Sequence, residues 1–166
     1  MRRFIVFILV AAVAASGLAY LYFNDPAAPA GEPLPAFSVA PLEGRDGFDP
    51  QRLDGPYLFN IWGSWCAPCR LEHAALMALE AEGIAIYGLS WRDQPVDANA
   101  FLDELGDPYR GVMRIESDAL DALGASGAPE TLVVADGRIL ARWPGPLTTD
   151  ALRNHIYPAL EQAARR

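Results

Sequence analysis

The sequence predicts an α/β domain with a mixed central sheet, helices on both of its faces and one membrane-spanning helix before it. An apolar run at 57–61 leads into a helical segment, and a second buried strand follows at 84–89. This strand–helix–strand order is typical of parallel β-strands. Further along, Asp136-Gly137 separates two strand-like runs, and Asp-Gly is a strong signal for an antiparallel hairpin. Parallel units followed by a hairpin produce a mixed sheet.

The N-terminus predicts export. An uncharged, mostly apolar run at 4–23 follows Arg2 and Arg3. At about 1.5 Å per residue, a helix of this length crosses a hydrocarbon core of about 30 Å. The arginines keep the N-terminus in the cytoplasm, so the rest of the chain faces outward. A cleaved signal peptide is the rival interpretation, because Ala12-Val13-Ala14 resembles a cleavage site. Apolar sequence continues past that point, so we expect a retained anchor at 1–23.

Composition limits what the rest of the chain does. Residues 24–36 are rich in Pro and Ala and predict a semi-extended tether, which leaves 37–166 as one domain. The formal net charge is −8 and lysine is absent. Such an acidic domain does not suit binding to nucleic acid or to anionic lipid.

The first half of the domain contains short elements and one long helix. We expect an edge strand at 37–40 and a helical turn at 49–53, with Asp49 as its N-cap and Pro50 after it. The long helix is predicted over 66–82. Four of its residues recur at helical spacing and should face the sheet: Leu71, Ala75, Ala78 and Leu79.

The second half continues the alternation of helices and strands. Helices are predicted at 96–105 and 118–123, and hairpin strands at 131–134 and 139–143. A closing helix is predicted over 149–164, with Thr148 or Thr149 as its cap.

Cys66 and Cys69 are the only cysteines, and they lie at the start of the long helix. The free N–H groups and the positive dipole end of a helix N-terminus favour a thiolate, the attacking species in disulfide exchange. A structural disulfide is the weaker alternative, because so short a loop stabilises little. A zinc site needs about four ligands, and His73 and His155 are the only histidines. The pair therefore indicates a dithiol redox site.

Two further motifs connect this site with a known family. Trp65-Cys66-Ala67-Pro68-Cys69 at a helix start, Gly127-Ala128-Pro129-Glu130-Thr131 before a strand and the Asp-Gly hairpin resemble the thioredoxin fold. Together with Cys69-Arg70-Leu71-Glu72-His73, they are similar to the DsbE/CcmG branch. Members of that branch are membrane-anchored periplasmic thiol–disulfide proteins of cytochrome c maturation.

The resemblance implies a role for each residue near the dithiol. Cys66 is expected to be the exposed nucleophile, and Cys69 the resolving thiol. Trp65 is expected to shield the site and contact the partner, with simple packing as the alternative. Pro129 matches the cis-proline of the family, which would expose the backbone edge of Ala128 for pairing with a substrate strand.

The resemblance also concerns polar residues around the site. Glu72 and Glu130 match acidic residues of the branch, where a carboxylate would raise a cysteine pKa or accept a proton. The alternative for each is a solvated charge. His73 is expected on the helix surface, and Asp93 near the cleft at the surface. Ser126 departs from the aromatic residue that relatives often carry there.

The implied function is that of a periplasmic reductant. It would reduce the cysteines of apocytochrome c, directly or through a maturation thiol protein, before haem attachment. A transmembrane thiol electron donor of the DsbD type would restore the dithiol. The resemblance implies no cofactor besides the redox-active Cys66–Cys69 disulfide, no metal, a monomer, and a place in the bacterial inner membrane. Two alternatives remain: a general periplasmic thiol–disulfide reductase or oxidase with another client, and a non-catalytic apocytochrome-binding module.

Overall fold

We describe residues 31–165 from a computed structural model. Seven strands form one sheet: β1 (Glu32–Pro33), β2 (Ala40–Pro41), β3 (Tyr57–Trp62), β4 (Ile86–Trp91), β5 (Val112–Ile115), β6 (Glu130–Ala135) and β7 (Arg138–Pro144). The helices are α1 (Ala67–Ala81), α2 (Pro95–Leu105), α3 (Ser117–Leu123), α4 (Thr149–Ala151) and α5 (Tyr157–Ala164), and a π-helical turn (Leu152–Ile156) joins the last two. Between residues 31 and 165, no helix has the length and apolarity to cross a membrane. The anchor predicted at 1–23 lies outside the described residues.

The sheet is mixed, as the sequence predicts. Its strand order is β1-β7-β6-β3-β4-β5-β2. Strands β3, β4 and β5 run parallel, whereas β6 is antiparallel to both β3 and β7. Asp136 and Gly137 form the two-residue turn of the β6–β7 hairpin, and both have positive φ, 52° and 65°. That is the backbone of a type I′ turn, which explains the Asp-Gly sequence.

Helices cover both faces because successive side chains of β3 point in opposite directions. Phe59 and its neighbours on one face pack against α3 through Leu120. Leu58 on the other face packs against Leu76 of α1 and Ile156 of the π-helical turn. Trp62 at the end of the strand meets α2. These contacts confirm the predicted α/β architecture.

The buried face of α1 differs from the predicted one. Leu71 is 80% exposed and Ala78 is also exposed, so their assignment to the sheet face is wrong. The residues that are buried on α1 are Cys69, Glu72, His73, Leu76 and Leu79. Two of these side chains are ionisable, so a pattern of apolar residues does not follow the buried face.

The sheet begins nearer the N-terminus than the sequence predicts. Glu32–Pro33 pairs antiparallel with β7, inside the predicted tether at 24–36. The edge strand near 37–40 is displaced to Ala40–Pro41, where it pairs with β5. Asp49 caps only a single turn, with its Oδ1 accepting the Gln51 N–H at 3.0 Å. Strand β5 is not predicted from the sequence, because an arginine interrupts its four residues.

Candidate active site

The dithiol lies where β3 passes into α1. Cys66 and Cys69 form a disulfide, with their Cα atoms 5.3 Å apart. Cys66 is the N-cap of α1, and its Sγ accepts a hydrogen bond from the Cys69 N–H at 3.1 Å. When the disulfide is reduced, the same N–H and the positive end of the helix dipole favour the thiolate form of Cys66. This geometry identifies Cys66 as the better nucleophile.

Both cysteines are buried in the disulfide form. Cys66 is 3% exposed and Cys69 is 2% exposed, so the expected exposure of Cys66 is wrong for this state. Each belongs to an apolar cluster with Trp62 and Phe101, against which Ala128 packs. The cluster therefore shields the disulfide from most of the solvent.

Trp65 is the exposed aromatic residue of the site. It is 53% exposed, and its indole Nε1–H donates to the Trp91 carbonyl at 3.1 Å. The two indole rings meet edge to face, with centroids 5.5 Å apart. A Cβ at Gly63 would lie 2.6 Å from the Trp65 Nε1, so glycine is required for the indole to fold back. Trp65 therefore presents a fixed aromatic surface to the solvent.

Asp93 is buried rather than superficial, which corrects the expectation from sequence. Its Oδ2 accepts the Ser64 N–H at 2.5 Å, and its Oδ1 accepts the Ser64 hydroxyl at 2.7 Å. The Gly63 carbonyl next to Ser64 accepts the Cys66 N–H at 3.0 Å. Asp93 thus holds the loop that leads into the nucleophile. No local pattern signals this role, since the two residues are 29 positions apart.

The proline loop completes the site. The Ala128–Pro129 peptide bond is cis, as the family resemblance implies. Ala128 packs against the cluster that contains both cysteines. The Pro129 carbonyl accepts the Gly145 N–H at 2.8 Å, which holds the end of this loop against the segment after β7.

Glu72 is a buried carboxyl one turn after Cys69, so its interpretation as a solvated charge is wrong. Its Oε1 accepts the Asn60 side-chain N–H at 2.9 Å, and its Oε2 accepts the Leu147 N–H at 2.8 Å. Desolvation by burial outweighs these two hydrogen bonds and raises the pKa of Glu72 to about 7. The side chain is therefore able to take up and release a proton near neutral pH.

Glu130 is also buried, but its surroundings differ. Its Oε2 accepts the Ser126 N–H at 2.8 Å and the Ser126 hydroxyl at 3.0 Å. Arg142 Nη1 lies 4.0 Å from its Oε1. Glu130 is thus hydrogen-bonded to its own loop and lies close to the guanidinium of Arg142. Ser126 supplies two hydrogen-bond donors to this carboxyl group.

His73 is buried, so the expected surface position is wrong. Its Nε2–H donates to the Gly106 carbonyl at 2.9 Å, and its ring lies edge-on to Phe101. Burial lowers the pKa of His73, since it disfavours the charged imidazolium. His73 joins α1 to the end of α2 as a neutral side chain. Within residues 31–165, no three His, Cys, Asp or Glu side chains converge as metal ligands would.

A helix-capping disulfide beside a cis-proline loop, on a mixed sheet with helices on both faces, defines the class of thioredoxin-fold dithiol oxidoreductases. No protein-family model matches the chain. The chain is 40% identical over 172 residues to thiol:disulfide interchange protein HelX of Rhodobacter capsulatus, covering 97% of this chain and 96% of the relative. It is 34% identical to thiol:disulfide interchange protein DsbE of Pseudomonas fluorescens, over 96% of this chain and 93% of the relative. The chain therefore belongs to the DsbE/HelX family of thiol:disulfide interchange proteins.

Solved structures show the same fold. A thioredoxin-family thiol:disulfide interchange protein from Chlorobium tepidum superimposes with a TM-score of 0.64 at 22% identity. The match covers 80% of this chain and 96% of that one. This likeness confirms the thioredoxin-like fold.

Proposed function

We propose that this protein is a periplasmic reductant that delivers free cysteine thiols to apocytochrome c, directly or through a maturation thiol protein. The observation that carries the proposal is Cys66 capping α1, with Cys69 one turn inward and the Ala128–Pro129 loop against the same cluster. Membership of the DsbE/HelX family and the DsbE/CcmG motifs in the sequence support the choice of client.

The chemistry is two successive thiol–disulfide exchanges. The Cys66 thiolate attacks one sulfur of the client disulfide, which releases one client thiolate and forms a mixed disulfide. Cys69 then loses its proton and attacks the Sγ of Cys66, which releases the second client thiolate. Two electrons pass from the dithiol to the client, and a transmembrane thiol donor of the DsbD type returns them.

Glu72 is the proton acceptor that we assign to Cys69. Positions three apart on a helix lie on one face, and both side chains are on the buried face of α1. A carboxyl with a pKa of about 7 is well matched to receive a thiol proton at neutral pH.

The client is expected to dock as an extended strand. The backbone of Ala128 forms no hydrogen bond within residues 31–165, so its N–H and C=O are available to a passing strand. Trp65 supplies an aromatic contact beside the reacting sulfur. The site needs no cofactor other than the Cys66–Cys69 disulfide, and haem would be ligated by the client.

The location we propose follows from the sequence. The 1–23 segment would hold the protein in the bacterial inner membrane as a monomer, with the domain in the periplasm. Thioether bonds to haem require reduced cysteines, so a reductant has a use in that oxidising compartment.

The direct test is a Cys66→Ala variant expressed in place of the natural chain. We expect holocytochrome c to fall to background in haem-stained membranes, because the variant has no nucleophile. Normal haem staining would rule out the reductase assignment. Restoration of cytochrome assembly by a Cys66→Ala, Cys69→Ala double variant would instead support a non-catalytic binding module.

A further inference from the structure

Residues 126–129 belong to the connection between α3 and β6. The side chain of Glu130, the first residue of β6, folds back onto the start of this segment. The carboxylate reaches back four residues to Ser126, where one oxygen accepts both the N–H and the hydroxyl, at 2.8 and 3.0 Å. At the other end of the segment, the Pro129 carbonyl is held by the Gly145 N–H at 2.8 Å. The start and the end of this segment are therefore both fixed, with Ala128 between them.

A buried carboxylate is costly unless it is paired with a cation or with several donors. Glu130 is buried, and the neighbouring cation comes from the next strand. Leu132 pairs with Arg142 in the β6–β7 ladder, so Glu130 and Arg142 are diagonal neighbours on one face of the sheet. Arg142 Nη1 is itself buried, has no hydrogen-bond partner among the described residues, and lies 4.0 Å from Glu130 Oε1.

The second terminal nitrogen of Arg142 faces outward. Its Nη2 pairs with Glu32 Oε2 at 3.0 Å, and the Glu32 side chain is 72% exposed. The inner pair is shielded from solvent, whereas the outer pair is screened by water and salt. The contact that Arg142 makes toward the site is therefore the inner one, with Glu130.

We propose that Glu130 is a positioning residue, which Arg142 keeps in place so that residues 126–129 present the Ala128 edge to an extended client strand. The inference rests on the proposed function and deepens it, since it concerns how a protein or peptide disulfide is recognised. It differs from a role for Glu130 as an acid that tunes the cysteines, because its hydrogen bonds go to the docking segment. The contacts among Ser126, Glu130 and Arg142 should therefore affect the rate with peptide substrates. They should not affect the rate with small disulfides, which need no strand pairing.

The test compares two substrates with the reduced full-length protein. One is a synthetic peptide that contains a Cys-x-x-Cys disulfide, and the other is hydroxyethyl disulfide. Arg142→Met removes the cation and keeps the length of the side chain. We expect it to lower kcat/KM for the peptide about tenfold, the size of losing one interaction with a charged group. The rate with hydroxyethyl disulfide and the reduction potential should stay at their natural values.

Three other variants accompany it. Ser126→Ala removes only the hydroxyl donor, so we expect a smaller loss of the same selective kind, and it replaces Arg142→Met if that variant does not fold. Glu130→Gln should also lower the rate with the peptide relative to the rate with hydroxyethyl disulfide. Arg153→Met is the matched control, because Arg153 is an exposed cation on the π-helical turn. It should change neither rate.

The outcomes separate two questions. Equal losses with both substrates would overturn the positioning role, since Glu130 would then act on the cysteines. Unchanged peptide rates in both Arg142→Met and Ser126→Ala would overturn it too. Failure of the natural protein to reduce the peptide would instead count against the proposed function itself.

Discussion

Glu72 and Glu130 are both buried acids beside one dithiol, and their neighbours separate their chemistry. The two donors to Glu72 are neutral, the Asn60 amide and the Leu147 N–H, so desolvation dominates. Glu130 has a cation close by in Arg142. Glu72 is accordingly suited to proton exchange, and Glu130 to holding residues 126–129 through its hydrogen bonds to Ser126.

The raised pKa of Glu72 predicts a pH-dependent cost to stability. Its pKa is about 7 in the folded protein, against an ordinary value of 4.5. Between these two values the folded state binds more protons than the unfolded state, so stability falls as the pH rises. The difference between the two pKa values corresponds to a loss of about 3 kcal/mol in the free energy of unfolding. This loss is absent below the lower pKa and fully present above the higher one.

Urea unfolding of the oxidised natural protein and of Glu72→Gln, at pH 4.5 and pH 8, checks this prediction. The glutamine cannot ionise, so the variant should gain about 3 kcal/mol relative to the natural protein between the two pH values. The relevant quantity is the difference between the two proteins, because other carboxyl groups contribute equally to both. A difference that does not change with pH would show that Glu72 titrates normally.

At the scale of elements, α1 combines a catalytic N-terminus with a buried face that includes ionisable side chains. Two contacts connect α1 with α2. Arg70 forms an ion pair with Glu104 of α2 at 2.8 Å, and His73 donates to the Gly106 carbonyl at the C-terminal end of α2. Leu76 and Leu79 pack α1 on the sheet. The helix that presents Cys66 is thereby held along its length.

Two leucines of α1 give a matched comparison of this packing. Leu76→Ala should lower the free energy of unfolding by about 3 kcal/mol, because it leaves a cavity in the core. Leu71→Ala should change it by less than about 0.5 kcal/mol, because Leu71 is exposed. Urea denaturation of the oxidised proteins measures both. A large loss for Leu71→Ala would mean that the sequence-based face of the helix is the correct one.

At the scale of the whole molecule, the reduction potential is the difference in free energy between two folded states. The folded chain buries both cysteines and also buries Glu72 one turn after Cys69, in a protein of net charge −8. Burial and negative charge offset the stabilisation that the helix N-terminus gives to the Cys66 thiolate, so the dithiol form gains little stabilisation. Such a protein is expected to be a reductant.

Equilibration of the full chain with glutathione or dithiothreitol buffers tests this expectation. We expect a potential near or below about −200 mV, which requires a donor to keep the protein reduced. A value near about −120 mV would identify an oxidant and contradict the reductase assignment. The Arg153→Met variant again provides a control, since its exposed charge should leave the potential unchanged.

Local chemistry explains which predictions from the sequence succeeded. The Cys-x-x-Cys at a helix start, the buried strand β3, the Asp136-Gly137 turn and the cis bond before Pro129 are confirmed. Apart from that cis bond, which the family resemblance implied, these features depend on residues within a few positions of one another, through spacing, capping and turn conformation. β5 escaped prediction, since a four-residue strand with a central arginine carries no clear period.

The amino-acid sequence by itself therefore determined the fold class, the position of the dithiol and the family. Only the tertiary structure decided the burial of Glu72, His73, Asp93 and Glu130. Their partners come from distant parts of the chain: the Leu147 N–H that binds Glu72 lies 75 positions away, and the Ser64 that binds Asp93 lies 29 away. Burial and pKa depend on such long-range contacts, which no local pattern of residue types specifies.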